Sequence, residues 1–198
     1  MATGPDYDRL YEIAESQAGY FRGVQARQAG FSWERLSSNA KTGRFQRVSR
    51  GIYRLAHFPG SPFEDLFVAW LRTGPRSVIS HESALSVYDL SDLLPGEVHV
   101  IIPRSASRRR PGIRLHTNRL EPDEVTVREG LPITTVARTI ADVARSGLAE
   151  EQVHLAIREA LGRGLTTKKS LFQQAGRHGG RAAQLILQAI QESTNEIQ

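Results

Sequence analysis

The 198-residue chain has no cysteine, so it forms no disulfide, holds no zinc through thiolates and carries no cysteine nucleophile. That fits a reducing compartment. No apolar run approaches the length of a membrane span, and the amino terminus lacks the charged-then-apolar order of a signal peptide. A cytoplasmic location without membrane contact is the expectation. Phosphate-cradling glycine patterns are missing as well: there is no GxxxxGK loop and no GxGxxG at a strand–helix junction. Acidic residues, finally, are absent from three cation-rich stretches, Lys41–Arg54, Arg104–Arg119 and Arg163–Arg181. Such stripes either solvate the surface or face a phosphate backbone.

What is present suits a globular protein: 39% apolar and 24% charged residues, with a net charge of +5. The length permits one large or two small domains. Tyr7, Leu10, Tyr11, Ala14 and Ala18 recur at helical spacing and predict a helix over 7–17 that Gly19 ends. A short helix over 22–28 follows, then a turn at Ala29-Gly30-Phe31, then a helix over 33–40 capped by Ser32. Residues 43–54 set Phe45, Val48 and Ile52 among Arg44, Arg47, Arg50 and Arg54, a cationic β-hairpin with a turn at Arg50-Gly51. Helix, short helix, turn, capped helix and basic hairpin is the order of a winged helix-turn-helix, which points to double-stranded DNA.

In that reading the helix over 33–40 enters the major groove. Arg35 suits guanine and Asn39 suits adenine, unless Asn39 instead ends the helix in a left-handed conformation. Ser32, Ser38 and Lys41 join them, with Arg22, Gln25 and Arg27 on the preceding helix. Arg44, Arg47 and Arg50 of the wing suit phosphates or a minor groove. Trp33 and Leu36 sit three apart and are expected to face the core, while Phe45 and Tyr53 pack the wing onto the helices.

Residues 56–61 read as a linker, which divides a winged-helix domain over 1–57 from a mixed α/β domain over 58–198, an α+β chain overall. Ser61-Pro62-Phe63-Glu64 starts a helix whose core face carries Phe63, Leu66, Phe67, Trp70 and Leu71. A further helix starts at Ser80 or Ser83. Strands are predicted at 97–102 and 111–117, and a hairpin at 125–128 and 131–133 around Glu129-Gly130. Three helices, over 136–144, 150–161 and 182–192, close the chain. The loop carrying Arg104, Arg108, Arg109 and Arg110 is either a solvated connection or a second contact for nucleic acid or an acidic partner.

Ser80, His81, Glu82 and Ser83 are adjacent, but neighbours on a helix do not face one another, so no catalytic relay is expected. The serines read as helix caps, and Glu82 as a structural partner of Arg104 or Arg138. His81 and His99 can come together in the fold, yet no third ligand stands at a metal-binding spacing. The expectation is therefore no metal, no cofactor and no enzyme.

Three blocks carry a family resemblance. They are Arg27-Gln28-Ala29-Gly30-Phe31 with Thr42-Gly43-Arg44-Phe45 and Arg50-Gly51-Ile52-Tyr53-Arg54-Leu55; Ile79-Ser80-His81-Glu82-Ser83-Ala84-Leu85 with Tyr88-Asp89-Leu90 and Val98-His99-Val100; and the run Gly130-Leu131-Pro132-Ile133-Thr134-Thr135-Val136-Ala137-Arg138-Thr139-Ile140-Ala141-Asp142. Together they resemble the AbiEi family of bacterial type IV antitoxins over most of residues 7–145. The resemblance implies a winged helix that binds operator repeats and represses the antitoxin–toxin operon, as a homodimer or cooperatively. It also implies a second domain that counters a nucleotidyltransferase-like toxin. Asp89 departs from the pattern, standing where relatives often have Gly. A competing reading is a protein-binding module whose cationic surface grips an acidic toxin without sequence-specific DNA binding.

Overall fold

A computed structural model describes residues 4–92, 95–106 and 109–195. Packing divides the chain into two compact units, Met1–Arg76 with Glu129–Leu131, and Ser77–Arg128 with Pro132–Gln198.

In the first unit, helix α1 (Tyr7–Glu15) opens on Asp6, whose side chain accepts the Arg9 N–H at 2.9 Å. Ala18 and Gly19, both at positive φ, end it. A short strand β1 (Tyr20–Arg22), not foreseen from the sequence, then leads into α2 (Gly23–Gln28). Helix α3 (Trp33–Lys41) starts as expected on Ser32, whose Oγ accepts the Arg35 N–H. Strands β2 (Phe45–Ser49) and β3 (Ile52–Leu55) form the wing, and β1 adds to β3 to give the order β1-β3-β2. Gly51 takes the left-handed φ of 76° in the turn, and the register shifts between Arg47 and Ser49.

Phe21 and Phe45 meet edge to face at 5.1 Å, Phe21 stacks on Tyr53 at 5.7 Å, and Leu36 and Phe31 are fully buried beside them. Phe45 and Tyr53 thus dock the wing on the helices, as the sequence indicates. Helix α4 (Glu64–Thr73) starts later than the Ser61 cap suggests, because Ser61 Oγ takes the Phe63 N–H in a turn ahead of it. Phe67 of α4 stacks on Tyr20 of β1 at 5.8 Å, so α4 packs with the first unit, beyond the linker at 56–61.

The second unit is built on a mixed sheet of β4 (Val78–Ile79), β5 (Val98–Ile101), β6 (Ile113–His116), β7 (Val125–Arg128) and β8 (Leu131–Thr134), in the order β6-β5-β4-β8-β7. β4 runs antiparallel to β5 and parallel to β8, while β5 and β6 run parallel. Positive φ at both Glu129 and Gly130 gives the β7–β8 turn the backbone of a tight two-residue hairpin. Helix α5 (His81–Val87) follows β4 directly.

Among the described residues four helices, not three, close the chain: α6 (Val136–Ser146), α7 (Glu150–Gly162), α8 (Lys168–His178) and α9 (Gly180–Asn195). α6 is buried on nearly every side and supplies Ile140, Ala141 and Val143 to the core. Arg181 reaches back to the carbonyls of Ala144 and Leu148 and satisfies the end of α6. Among the described residues no helix is long and apolar enough to cross a membrane.

Candidate nucleic-acid interface

One turn of α3 decides what the first unit offers to a ligand. Leu36 faces inward and is fully buried, which leaves Glu34, Arg35, Ser37, Ser38 and Lys41 exposed on the opposite side. Asn39 is placed differently from its sequence reading. It lies within the helix, 7% exposed, and its Nδ2 donates to the Tyr7 hydroxyl at 3.3 Å, so it neither caps the helix nor reaches a base. Trp33 also departs from expectation: it is 52% exposed, with the Arg27 guanidinium 5.8 Å from its ring centroid. Gly23 explains this, since a Cβ there would stand 2.8 Å from the Trp33 ring. The indole lies across the start of α2 instead of inserting into the core.

Around α3 the cations are disposed as a patch. Arg27, Arg35, Lys41, Arg44, Arg47 and Arg50 are exposed, and none forms an ion pair with a described residue. Arg44 rests 5.3 Å from the centroid of the Tyr7 ring, which steers its head group beside the end of α3. Arg22, Gln25 and Ser32 are half-buried. Gln25 is occupied: its Oε1 accepts the Arg22 N–H at 2.7 Å and its Nε2 donates to Gln17 at 3.0 Å, so it orders the start of α2. Ser32 caps α3. In the second unit Arg104 and Arg109 are exposed and Arg110 is half-buried, while Arg108 lies outside the described residues.

The second unit also buries an ionic network that the sequence did not disclose. Arg138 on α6, 4% exposed, pairs through Nη1 with Glu124 and through Nε with Asp142 at 2.9 Å. Arg177 and Gln174 of α8 hold the other Glu124 oxygen at 3.0 Å each. Burial works to raise both carboxylates, yet both lie below their usual range. Contacts from the Glu121 backbone, Gln174, Arg177 and Arg138 outweigh burial at Glu124, and His178, His81 and Arg138 outweigh it at Asp142. Glu82 pairs with neither Arg104 nor Arg138. Its Oε2 lies 2.6 Å from His99 Nδ1. Burial would raise this carboxyl, but His99 and the backbone hold it at about 2.

Ser80 stands at the N-cap position of α5, but its side chain makes no capping bond, and Ser83 lies within the helix. Ser83 Oγ accepts the His99 N–H at 2.9 Å, and Ser80 Oγ meets the adjacent His81 Nδ1 at 2.9 Å. The latter contact arises because His81 has a φ of 52°, a left-handed backbone that costs about 1–2 kcal/mol in an L residue. Its ring stacks on that of His116 at 3.6 Å. Burial pushes both imidazoles down to about 4. His116 is the third imidazole that the sequence reading lacked; it sits far along the chain, at the end of an edge strand.

Comparison with known proteins places these observations. Residues 8–56 match the family model described as a transcriptional regulator, AbiEi antitoxin, so the AbiEi resemblance holds across α1 to the wing. No curated protein matches the sequence. The crystal structure of the RV2827C protein from Mycobacterium tuberculosis is similar, with a TM-score of 0.57 at 12% identity, over 96% of this chain and 78% of that one. At that identity the likeness concerns the fold alone.

Proposed function

We propose that this protein is a transcriptional repressor and antitoxin whose winged-helix domain, residues 1–57, binds operator DNA upstream of its own operon. The observation that carries the reading is the unpaired cationic patch of α3 and wing, lying within the segment that matches a family of transcriptional regulators. α3 enters the major groove, where Arg35 makes the bidentate contact with guanine and Ser38 and Lys41 reach bases or phosphate. Trp33 and Arg27 flank the entry of the helix. Arg44, Arg47 and Arg50 contact phosphates or the minor groove, and Ser32 and Arg22 support them at the rim. Gln25 acts by holding α2, and Asn39 by holding α3 to α1. Binding of paired half-sites, by a homodimer or cooperatively, accompanies this role.

The domain over 58–198 counters a nucleotidyltransferase-like toxin in the cytoplasm, and Arg104, Arg108, Arg109 and Arg110 form its secondary contact with nucleic acid or toxin. Mobility shift on the upstream operon DNA at several salt concentrations tests the first half. Four to six phosphate contacts give a slope of log affinity against log salt of about −4 to −5. A slope near zero, with a stable complex of the neighbouring gene product instead, refutes DNA binding and leaves a protein-binding module.

A further inference from the structure

With no cysteine thiolate in the chain, its six histidines are the side chains suited to a borderline metal ion, and three of them meet at one place. β4 pairs with β5 so that the Ser80 N–H bonds the His99 carbonyl at 3.1 Å, and the chain then turns into α5 through the left-handed His81. That turn sets the His81 ring 5.7 Å from the His99 ring. β6 runs parallel to β5 with Ile101 opposite His116, so His99 and His116 share a face of the sheet one diagonal step apart, with ring centroids at 5.2 Å. His81 and His99 are buried, and His116 closes the group from the end of the edge strand.

We propose that His81, His99 and His116 form a binding site for a divalent transition metal of the zinc class. Four observations support it. One ligand nitrogen from each ring lies within 4.8 Å of the others, against about 3.3 Å between nitrogens around a tetrahedral zinc with bonds near 2.0 Å, so binding draws the rings together and splays the stacked His81 and His116 pair. Nε2 of His116 is buried and has no hydrogen-bond partner among the described residues. Glu82 Oε2 stands 2.6 Å from Nδ1 of His99 but out of hydrogen-bond alignment, so a small turn of the ring completes the carboxylate–imidazole arrangement that leaves Nε2 for the ion. Ser80 Oγ lies 2.9 Å from Nδ1 of His81 and, as acceptor from Nδ1–H, leaves Nε2 of that ring for the ion. Glu82 is thus a positioning residue and the three imidazoles are the ligands, with the fourth tetrahedral position left to solvent or an anion. Bound there, the ion ties the β4–α5 turn to β5 and to the edge strand β6.

The test uses the full-length, untagged protein stripped with a chelator and titrated with Zn²⁺ by calorimetry and with Co²⁺ by visible absorption; neither measurement involves DNA. We expect one ion per chain, Co²⁺ bands of four-coordinate intensity and a melting temperature that rises with Zn²⁺ and returns on chelation. His99→Gln with His116→Gln should weaken binding at least about 100-fold, and Glu82→Gln should weaken it about 10–100-fold while keeping the Co²⁺ bands. His57→Gln and His154→Gln should change nothing. X-ray absorption of the zinc-loaded wild type should show imidazole scattering, which does not depend on how the variants fold. Absence of saturable binding, an oxygen-only shell, or binding unchanged in the double variant overturns the proposal.

Discussion

Arg138 is the side chain whose removal should tell most about the second unit. It lies buried between Glu124 and Asp142, which are 2% and 1% exposed. Arg138→Met keeps the volume and withdraws the charge. Glu124 retains Arg177, Gln174 and the Glu121 N–H, so most of the loss falls on Asp142. That carboxylate keeps His178 Nε2 at 3.6 Å and the nearby His81, a long contact and a neutral ring in place of a guanidinium. Leaving one partner of a buried pair uncompensated costs about 3–5 kcal/mol, which lowers the melting temperature by about 10–20 °C in a unit of this size. The pH dependence should flatten. In the wild type Asp142 is depressed in the folded state, so its contribution is present above the unfolded carboxyl value and fades as pH falls through the folded one. In the variant His178 and His81 still oppose burial, so Asp142 moves up toward the unfolded value, and the deficit is largest at neutral pH and shrinks on acidification. Calorimetry and urea unfolding followed by far-UV circular dichroism at pH 7 and pH 5 measure both effects. Arg138→Met with Asp142→Leu should recover most of the stability. A single-variant loss below about 1 kcal/mol, or a deficit that does not change with pH, would refute this account of the network.

Arg47→Ala with Arg50→Ala should weaken binding of all DNA sequences alike and reduce the salt slope by nearly one per arginine, whereas Arg35→Ala should cost about 1–3 kcal/mol on the operator and relax a single base position; titrations on operator and scrambled duplexes separate the two. Asp89 has a φ of 55°, the conformation that Gly adopts freely, so Asp89→Gly should leave thermal stability within about 1 kcal/mol of the wild type, and a larger drop would mean its side chain matters more than its backbone. Gly23→Ala should displace the Trp33 ring and destabilise the first unit by about 1–3 kcal/mol, read from its unfolding midpoint.

The helix order, the wing and its turn were legible because each rests on local chemistry: periodic apolar residues, Ser32 as a cap, Gly51 in a turn. The misses share a different cause. β1 is three residues long and exists only because β3 offers it a partner. α8 has few apolar residues, and Phe172 among them is 50% exposed, so its periodicity is faint; the cap at Thr167 was the available cue. Asn39 and Trp33 exchanged their expected surroundings because Tyr7 offers a hydroxyl inside and Gly23 leaves room outside. His116 joined His81 and His99 through strand pairing, which no spacing along the chain announces.

The exposed indole has a practical consequence. Trp33 and Trp70 are the chain's two tryptophans, and Trp33 lies half open to solvent at the leading end of the helix proposed to enter the groove. The protein therefore carries its own optical reporter. Docking on DNA should shift and quench Trp33 emission, and Trp33→Phe should silence that signal. Binding rates can then be followed by stopped flow without a dye on either partner.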